Sequence, residues 1–533
     1  MYRKMIGSNL QKILDEKKIS YTSLSKITGI SRDHIYHIVN GTKELGIDTF
    51  EKICLSLSVD PACFFEPINF EESDKLIVEY FRSLGPECWN FKDADTSFLI
   101  HGLHSYPAVM IWPISNLILN GVKQFKEITS MLDPFVGSGT VAVEGQRNFV
   151  PKVYANDLNP LALLITKAKT TLLNDSDIQS INKIKNLVLS TAKESIDLIT
   201  EFKNYASSQF DLVNKGDWSN FADKITNDYF KSSILEKHHV KSFSNIGFWF
   251  RPECVIEIQI IKDLIDSNCT KNNKSFLLCT LSEVIRSVSN TRSGEFKLYR
   301  KPENVILSKE HNVFDLFIKK LNTNLQKEES YIKNVKQNSE LIYLNENAQD
   351  IKEIDDNSID IVITSPPYGD SHTTVAYGQF SRLSNLWLGL AEDNIDNILL
   401  GGTKNKIRNI DSLGSTTLID IYNQISVIDQ KRANEVLDFY IDLDKTIKEI
   451  TRTVKVGGYE FWVVGNRTVK LVNIPTDVII DELGRKYGLK CLDKYYRYIS
   501  NKVMPSINSP TNVAGNHAKT MSSEVILFLK KEN

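Results

Sequence analysis

The sequence predicts an α/β protein: a Rossmann-like parallel sheet, interrupted by a mostly helical insertion and preceded by an all-α unit. Two stretches predict the sheet. The first, Met131-Leu-Asp-Pro-Phe-Val-Gly-Ser-Gly-Thr140, has the order strand, glycine turn, helix start that opens a nucleotide-binding sheet. The second, Ile361-Val-Ile-Thr-Ser-Pro-Pro-Tyr-Gly-Asp370, joins a short apolar run to two prolines, which cannot continue a central strand. This strand must end in a rigid loop at the carboxyl edge of the sheet, where open α/β sheets bind their ligands.

Length and composition narrow the class of protein. A chain of 533 residues is too long for one ordinary core, so two to four domains are expected, and 41% hydrophobic with 24% charged residues is typical of soluble globular proteins. The net charge of −2 means that any DNA contact must come from local patches. Seven scattered cysteines without a Cys-x-x-Cys pair argue against disulfides and structural zinc, and no metal is expected. Without a membrane-spanning stretch or signal peptide, we expect a cytoplasmic protein with no membrane partner.

Residues 1–66 are predicted to form a compact helical domain, followed by a connector over 67–95. A short helix ends at Gly29, which suits a left-handed cap, and Ser31 can cap the start of a second helix. Two short helices with a glycine-containing turn are typical of helix-turn-helix domains, and this segment resembles the DNA-binding domain of phage repressors. The resemblance implies double-stranded DNA as a partner and a dimer through this domain. The alternative is a packing or dimerisation module. Candidate base contacts on the second helix are Arg32, His34 and His37.

The glycine turn has a second feature as its companion. Gly137 and Gly139 let the backbone approach a ligand closely. A second predicted strand ends at Asp157, 18 residues after Gly139. That spacing suits a carboxylate that accepts hydrogen bonds from both hydroxyls of a ribose. Together the two features predict a site for a nucleoside-containing ligand.

These motifs resemble those of a known family. The glycine turn, Asp157-Leu-Asn-Pro160 and Ser365-Pro-Pro-Tyr368 are similar to the S-adenosylmethionine-binding and catalytic motifs of amino-methyltransferases acting on DNA. The resemblance implies a core with a cofactor-binding half over 96–172 and a catalytic half over 338–533. Asn347 stands where the family usually has Asp, although an amide oxygen can still accept a hydrogen bond. The implied cofactor contacts are Tyr106, Pro107, Asp133, Pro134, Phe135, Gly137, Gly139, Thr140, Asp157 and Asn347, and the implied catalytic residues are Ser365, Pro366, Pro367 and Tyr368.

The insertion over 173–337 is the candidate for target recognition. It contains a basic and aromatic run, in which Phe296 and Tyr299 alternate with the candidate DNA contacts Arg292, Lys297 and Arg300. Such a run suits contact with phosphates and stacking on bases, and a solvated β-ribbon is the equal alternative. A similar cluster, Arg497 to Pro510, adds Lys502 as a candidate phosphate contact. The polar stretch 392–430 is expected to be a mobile loop.

Two classes of function compete. A transcription regulator that senses a ligand through the glycine turn would not need the Ser365 loop, so an enzyme that methylates an exocyclic amine of DNA is preferred. Methylation at carbon 5 of cytosine requires a thiolate, normally in a Pro-Cys pair, and the chain has none. Family members with Ser at the first loop position mostly modify cytosine N4, and those with Asp or Asn mostly adenine N6. Cytosine N4 is therefore preferred over adenine N6, RNA is a weaker substrate choice, and a separate restriction endonuclease is the expected companion.

Overall fold

The computed structural model describes residues 6–7, 9–11, 13–14, 17, 19–39, 45–61, 64, 70–197, 199–200, 204, 243, 246–292, 294, 296–308, 310–335, 339–369, 375–391, 395–402, 407–499, 507–508, 518–519 and 523–532. No helix among these residues is both long enough and apolar enough to cross a membrane.

The amino-terminal unit is helical, as expected. Its helices include α1 (Tyr21–Thr28), α2 (Arg32–Val39) and α3 (Ile47–Leu57). Helix α1 ends because Gly29 adopts a left-handed conformation, with φ of 73°, and its N–H donates to the Ser25 carbonyl. The Ser31 hydroxyl accepts from the N–H of His34 at 3.3 Å and so caps the next helix. Apolar residues of these helices pack with Leu10 and Leu14, which precede α1, in a small core of their own that also includes Leu24, Ile35, Ile38, Ile53 and Leu57.

The larger part of the chain alternates helices and strands. Residues 70–172, which include part of the expected connector and the expected cofactor-binding half, contain α4 (Phe70–Ser83), α5 (Trp112–Val122), β1 (Ser130–Asp133), α6 (Thr140–Arg147), β2 (Lys152–Asn156) and α7 (Pro160–Thr170). The insertion contains α8 (Asp175–Glu194), α9 (Ile246–Trp249), α10 (Pro252–Asn268), α11 (Lys274–Val288), α12 (Glu303–Ser308) and α13 (Val313–Ile332). The catalytic half contains β3 (Glu340–Leu344), β4 (Ile359–Thr364), α14 (Tyr377–Leu388), α15 (Thr416–Ile428), α16 (Gln430–Thr453), β5 (Val454–Gly465), β6 (Arg467–Val469), β7 (Val472–Ile474), α17 (Thr476–Arg485), β8 (Leu489–Tyr498), β9 (Ile507–Asn508), β10 (Ala518–Lys519) and β11 (Ser523–Lys531).

Seven strands form one sheet in the order β3-β2-β1-β4-β5-β11-β8. Strands β3, β2, β1, β4 and β5 are parallel, and β11 is antiparallel to both of its neighbours, β5 and β8. The chain moves outwards from β1 through β2 to β3 and then returns to place β4 on the other side of β1. This reversal is a topological switch point, where such sheets open a crevice for ligands. The Rossmann-like fold is confirmed.

Both faces of the sheet are covered, which explains why the central strands are almost entirely apolar. Ile361 and Ile363 of β4 pack with residues of α4, α5 and α6, whereas Val362 between them packs on the other face with residues of α15, α16 and α17. All six residues of β4 are buried. A strand buried in this way holds the loop that follows it in a fixed position.

Two segments are more ordered than their composition suggests. The expected connector 67–95 contains α4, whose Ile77 and Phe81 belong to the core on one face of the sheet, so residues 70–83 are part of that core. The expected mobile loop 392–430 contains α15, which buries Leu418, Ile421 and Ile425 against α16. The expectation of a loop is therefore wrong for residues 416–428, because apolar side chains at helical spacing outweigh the polar neighbours.

The insertion is helical, as expected, within its described part. Helices α10, α11 and α13 share one hydrophobic cluster with α7 of the cofactor-binding half and with α14 of the catalytic half. The fully buried Trp387 of α14 lies in this cluster. The insertion is therefore packed against the two halves of the core beside the switch point.

Candidate active site

A cavity opens at the switch point. Its wall is built from the segments that follow the carboxyl ends of β1, β2, β3 and β4, completed by residues before α5 and by part of the 392–430 segment. The lining residues are Tyr106, Ala108, Val109, Met110, Asp133, Pro134, Phe135, Val136, Gly137, Ser138, Thr140, Val141, Asn156, Asp157, Leu158, Asn159, Glu346, Asn347, Ala348, Ser365, Pro367, Tyr377, Leu399 and Leu400. The prediction that the glycine turn and the Ser365 loop follow neighbouring strands is confirmed, because β1, which precedes the turn, pairs with β4, which precedes the loop.

The glycine turn has two positions that need glycine for different reasons. Gly137 has φ of 51° and Gly139 has φ of 82°, both in the left-handed region. A Cβ atom on Gly137 would meet the Tyr106 ring at an ordinary 3.5 Å, so only its conformation is restrictive. A Cβ atom on Gly139 would lie 2.8 Å from the Thr166 hydroxyl and 2.9 Å from the Thr166 Cα. Gly139 therefore lets α7 approach the turn, whereas Gly137 lies on the cavity wall.

Two carboxyl groups, the buried Asp133 and the half-buried Asp157, stand at the end of β1 and just after β2. Asp133 Oδ1 accepts from the Thr364 hydroxyl at 2.7 Å and from the Phe135 N–H at 3.1 Å. Asp157 accepts from the Gly137 N–H at 2.9 Å through Oδ2 and from the Asn159 N–H at 2.8 Å through Oδ1. Burial raises the pKa of Asp133 to about 7 and that of Asp157 to about 6, against the lowering effect of these hydrogen bonds. Asp157 thus ties the glycine turn to the end of β2 and still has lone pairs for a ligand.

Aromatic residues close one side of the cavity. The Tyr106 hydroxyl accepts from the Asn159 side chain at 3.0 Å, and its ring lies 6.1 Å from the Tyr377 ring. Burial raises the pKa of Tyr106 well above its ordinary value, so the hydroxyl stays neutral. Pro107, a predicted cofactor contact, is buried and does not line the cavity.

The segment after β3 forms the opposite side. Asn347 lines the cavity and is exposed, and its Oδ1 accepts from the Gln349 N–H at 3.0 Å. This turn uses one acceptor lone pair of the amide, whose NH₂ group remains available as a donor. Leu399 and Leu400, from the segment expected to be a loop, add an apolar surface. This side of the cavity therefore combines polar and apolar contacts for a flat ligand.

The Ser365 loop follows β4 directly. Ser365 and Pro367 line the cavity, whereas Pro366 is buried. The Ser365 and Tyr368 hydroxyls lie 3.2 Å apart, and the Tyr368 hydroxyl donates to Glu524 Oε1 at 3.0 Å. Tyr368 is half-buried and is not among the lining residues. The loop thus presents a hydroxyl to the same cavity as the glycine turn, and its tyrosine is anchored to β11.

Comparison with known proteins gives two matches. Residues 9–68 match the family of Cro/C1-type HTH DNA-binding domains. The Type II methyltransferase M.MvaI of Kocuria varians is 42% identical over 456 residues, which cover 83% of this chain and 93% of the relative. The chain belongs to the Type II methyltransferase family. No solved structure matches it.

Family membership identifies the protein as a methyltransferase and sets aside a regulator that only senses a ligand. The helix-turn-helix prediction is confirmed by the family match at the amino end. Of its predicted base contacts, Arg32 is exposed, whereas His34 and His37 are half-buried. Tyr36 on the same helix is 53% exposed and packs edge-on against Tyr21 and His37. Helix α2 therefore presents a basic and aromatic surface.

The basic run of the insertion forms a short hairpin in this methyltransferase, with an antiparallel bridge between Thr291 and Arg300. Arg292 is exposed and Lys297 is half-buried. The Arg300 side chain packs over the Phe248 ring and donates to the Phe248 carbonyl at 3.0 Å, and burial lowers its pKa. Arg300 thus supports the hairpin, and Arg292 and Lys297 remain the candidates for phosphate contact.

The sequence predicts a phosphate contact in the cluster from Arg497 to Pro510, and the structure differs from this prediction at Arg497. Arg497 of β8 is buried and forms an ion pair with Glu524, so its interpretation as a phosphate contact is wrong. Its charge is already compensated inside the sheet. The second candidate, Lys502, lies outside the described residues.

Several residues of this site could not be identified as site residues from the sequence. Asn159 lies inside a recognised motif, and its role as partner of Tyr106 follows only from the fold. Tyr377, Leu399 and Glu524 come from segments without a motif, so no local signal could have found them. Among the described residues, no group of three or more His, Cys, Asp and Glu side chains is placed to hold a metal ion.

Proposed function

We propose that this methyltransferase transfers a methyl group from S-adenosylmethionine to the exocyclic N4 of a cytosine extruded from double-stranded DNA. One observation carries the proposal: Ser365 and the glycine turn with Asp157 open into one cavity, at the ends of strands that neighbour one another. A nucleoside-containing methyl donor on the glycine turn would therefore lie next to the hydroxyl of the Ser365 loop.

The residues present fit such a cofactor. The cavity is concave and is lined by both polar and apolar residues, as is usual for small-molecule sites. Asp157 can accept from ribose hydroxyls, the left-handed Gly137 brings the backbone close, and Asn347 stands beside an apolar surface that suits a purine. When bound, S-adenosylmethionine supplies an electrophilic methyl group on a sulfonium centre. The predicted contacts Pro134, Phe135 and Thr140 also line this cavity.

The Ser365 loop has the polarity that an exocyclic amine requires. The amine lone pair of cytosine is delocalised into the ring and is a poor nucleophile. Hydrogen bonds from its two N–H groups to the Ser365 hydroxyl and the Pro366 carbonyl would draw the nitrogen towards tetrahedral geometry and free the lone pair for in-line displacement. S-adenosylhomocysteine would be the leaving group, and the methylated amine would then release one of its two protons to solvent. Tyr368 follows in the loop and would stack on the extruded base. Catalysis here consists of orientation and polarisation by fixed groups.

Adenine N6 carries the same kind of amine and is the alternative acceptor. DNA incubated with the enzyme and S-adenosylmethionine, digested to nucleosides and separated by mass spectrometry, should contain N4-methylcytosine. N6-methyladenine as the only product would overturn the assignment of the base. Unmethylated DNA together with methylated RNA would overturn the substrate class. The relative is named a Type II methyltransferase, which supports a role in a restriction-modification system. We further propose a separate endonuclease as companion and the cytoplasm as the place of action.

A second function is favoured by the family match of the amino-terminal domain. No predicted cofactor or catalytic residue lies in residues 1–66, so methyl transfer does not require this domain. We propose that it binds as a dimer to an operator with two half-sites about one helical turn apart and limits expression of the enzyme. Non-specific support of the methylation substrate is the competing role, and DNA-binding assays on variants of α2 separate the two.

A further inference from the structure

The hydroxyl of Tyr368 is held by a carboxylate from a distant part of the chain. Glu524 is the second residue of β11, where it lies opposite Arg497 of β8 and opposite Gly465 of β5. Its Oε1 accepts from the Tyr368 hydroxyl at 3.0 Å, and its Oε2 is paired with Arg497 Nη1. The side chains of Glu524 and Arg497 are only 14% and 11% exposed. The carboxylate is therefore a fixed group inside the sheet, in direct contact with the catalytic loop.

Elementary chemistry fixes the direction of the two hydrogen bonds that link Ser365, Tyr368 and Glu524. An ionised carboxylate only accepts, so Tyr368 must give its single proton to Glu524. The Tyr368 oxygen can then only accept in its contact with Ser365, so the Ser365 hydroxyl gives its proton to Tyr368. The Ser365 oxygen is left with lone pairs alone for the cavity. That is the polarity needed to accept a proton from an exocyclic amine.

We propose that Glu524 is a positioning residue, which fixes the polarity of the Ser365 hydroxyl through Tyr368 and so makes Ser365 an obligatory acceptor for the substrate amine. The inference rests on the proposed function of the Ser365 loop. It adds to that function a required residue, Glu524, that lies outside every recognised motif. Arg497 fixes the carboxylate in turn, since it holds the oxygen that does not face Tyr368.

The pKa of Tyr368 agrees with this arrangement. Burial raises it well above the ordinary value, and both the charge of Glu524 and the hydrogen bond to it raise it further, whereas the contact with Ser365 lowers it. These changes in pKa are the ones expected for a tyrosine that donates a hydrogen bond to a carboxylate and accepts one from a serine. The phenolic proton is therefore retained between Tyr368 and Glu524.

The structure also predicts what an amide would do in place of the carboxylate. In Glu524→Gln, Arg497 only donates, so the amide oxygen must face Arg497 and the NH₂ group must face Tyr368. Tyr368 would then accept from the amide and donate to Ser365, and the Ser365 proton would point towards the substrate amine. The direction of the hydrogen bonds from residue 524 through Tyr368 to Ser365 is thereby reversed. The Ser365 hydroxyl would then point its proton at the N–H groups of the substrate amine, so that two donors face each other. Tyr368→Phe is milder, because it leaves the Ser365 hydroxyl free to rotate.

The test is a double-mutant series measured as kcat and KM for methylation of duplex DNA, with binding of S-adenosylmethionine as the check on folding. Glu524→Gln should lower kcat about tenfold and Tyr368→Phe about threefold, the range set by one misdirected and one missing hydrogen bond. The double variant should return to within about twofold of Tyr368→Phe, because phenylalanine removes the reversed bond. Glu532→Gln exchanges a surface carboxylate paired with Lys490 and serves as the matched control with unchanged kcat.

Wild-type kcat in Glu524→Gln would overturn the proposal, and so would a double variant whose losses simply multiply. If Glu524→Gln lost cofactor binding through misfolding, Tyr368→Phe alone would decide, since unchanged kcat in that variant shows that the Ser365 polarity needs no anchor. Failure of the proposed function would give a different result from failure of this inference, because the wild-type enzyme itself would then methylate no exocyclic amine in DNA.

Discussion

The carboxylate of Asp157 gives the most quantitative prediction about the cofactor site. Each of its oxygens accepts one backbone N–H, from Gly137 and Asn159, and has a further lone pair, which in the proposed function accepts from a ribose hydroxyl. Hydrogen bonds to a charged group contribute about 1.5–3 kcal/mol, which corresponds to about 10- to 150-fold in affinity. Asp157→Asn should therefore weaken S-adenosylmethionine binding by this factor at pH 8. Isothermal titration calorimetry with the full-length protein measures it.

The pH dependence of that factor identifies its cause. Burial raises the pKa of Asp157 to about 6, so at pH 5 only about one tenth of the carboxyl groups are ionised and most of the advantage over asparagine disappears. The ratio of the two affinities should shrink about five- to tenfold between pH 8 and pH 5. Burial is the main cause of the raised pKa of Asp133 and is present in both proteins, whereas the smaller contribution from the Asp157 charge is absent in the variant; the ratio of the affinities therefore removes most of the effect of Asp133. A ratio near one at pH 8, or one that does not change with pH, would refute the reasoning.

Stability provides the control for the same substitution. A carboxyl group whose folded pKa is raised favours the fold at low pH, and this contribution is lost as the pH rises through about 6. The Asp157→Asn variant removes the charge but leaves the N–H of either Gly137 or Asn159 facing an NH₂ group, so the free energy of unfolding at pH 8 should fall by no more than one lost hydrogen bond, about 1–3 kcal/mol. A large loss of stability at that pH would mean that the weaker binding reflects unfolding rather than a lost contact.

The remaining predictions concern the glycine turn and the amino-terminal domain. Gly139→Ala should lower the free energy of unfolding by about 2–5 kcal/mol, the sum of left-handed strain and the clash with Thr166. Gly137→Ala has only the strain and should lose about 1–2 kcal/mol; equal urea midpoints for the two variants would contradict the packing argument. Arg32→Ala combined with His37→Ala should abolish operator binding in a gel-shift assay while methylation of target DNA stays within about twofold, as expected if α2 alone reads the operator. A parallel loss of methylation would assign the domain to the enzyme's own substrate.

Much of the core could be predicted because its signals are local. The strand, glycine turn and helix of β1 and α6 lie within 18 residues, from Ser130 to Arg147, and the two prolines after β4 define the end of that strand by themselves. Gly29 likewise predicted a left-handed cap and adopts one. Local chemistry of this kind needs no tertiary context, so sequence and structure agree on the order of strand, glycine turn and helix and on the loop that follows β4.

The errors arise where a distant partner decides the role of a side chain. Arg497 belongs to a basic cluster in the sequence, but the register of β8 against β11 places it beside Glu524 and buries it. Tyr368 and Glu524 are 156 residues apart, so nothing near either residue indicates their contact. The polar composition of 392–430 concealed a helix, although Leu418, Ile421 and Ile425 already had the spacing of a buried helical face. In that case the signal was present and the composition was given too much weight.

The central claim is that the Ser365 loop performs the transfer and the glycine turn holds the cofactor. Ser365→Ala tests it most directly, with methyl transfer to DNA measured under single-turnover conditions and S-adenosylmethionine binding measured on the same preparation. The account predicts a rate reduced by about 10²-fold, comparable to the loss of other hydrogen-bonding groups that act in a transition state, with cofactor affinity within about twofold of the wild type because Asp157 is untouched. Full turnover by Ser365→Ala would contradict the account, since the amine would then be activated elsewhere.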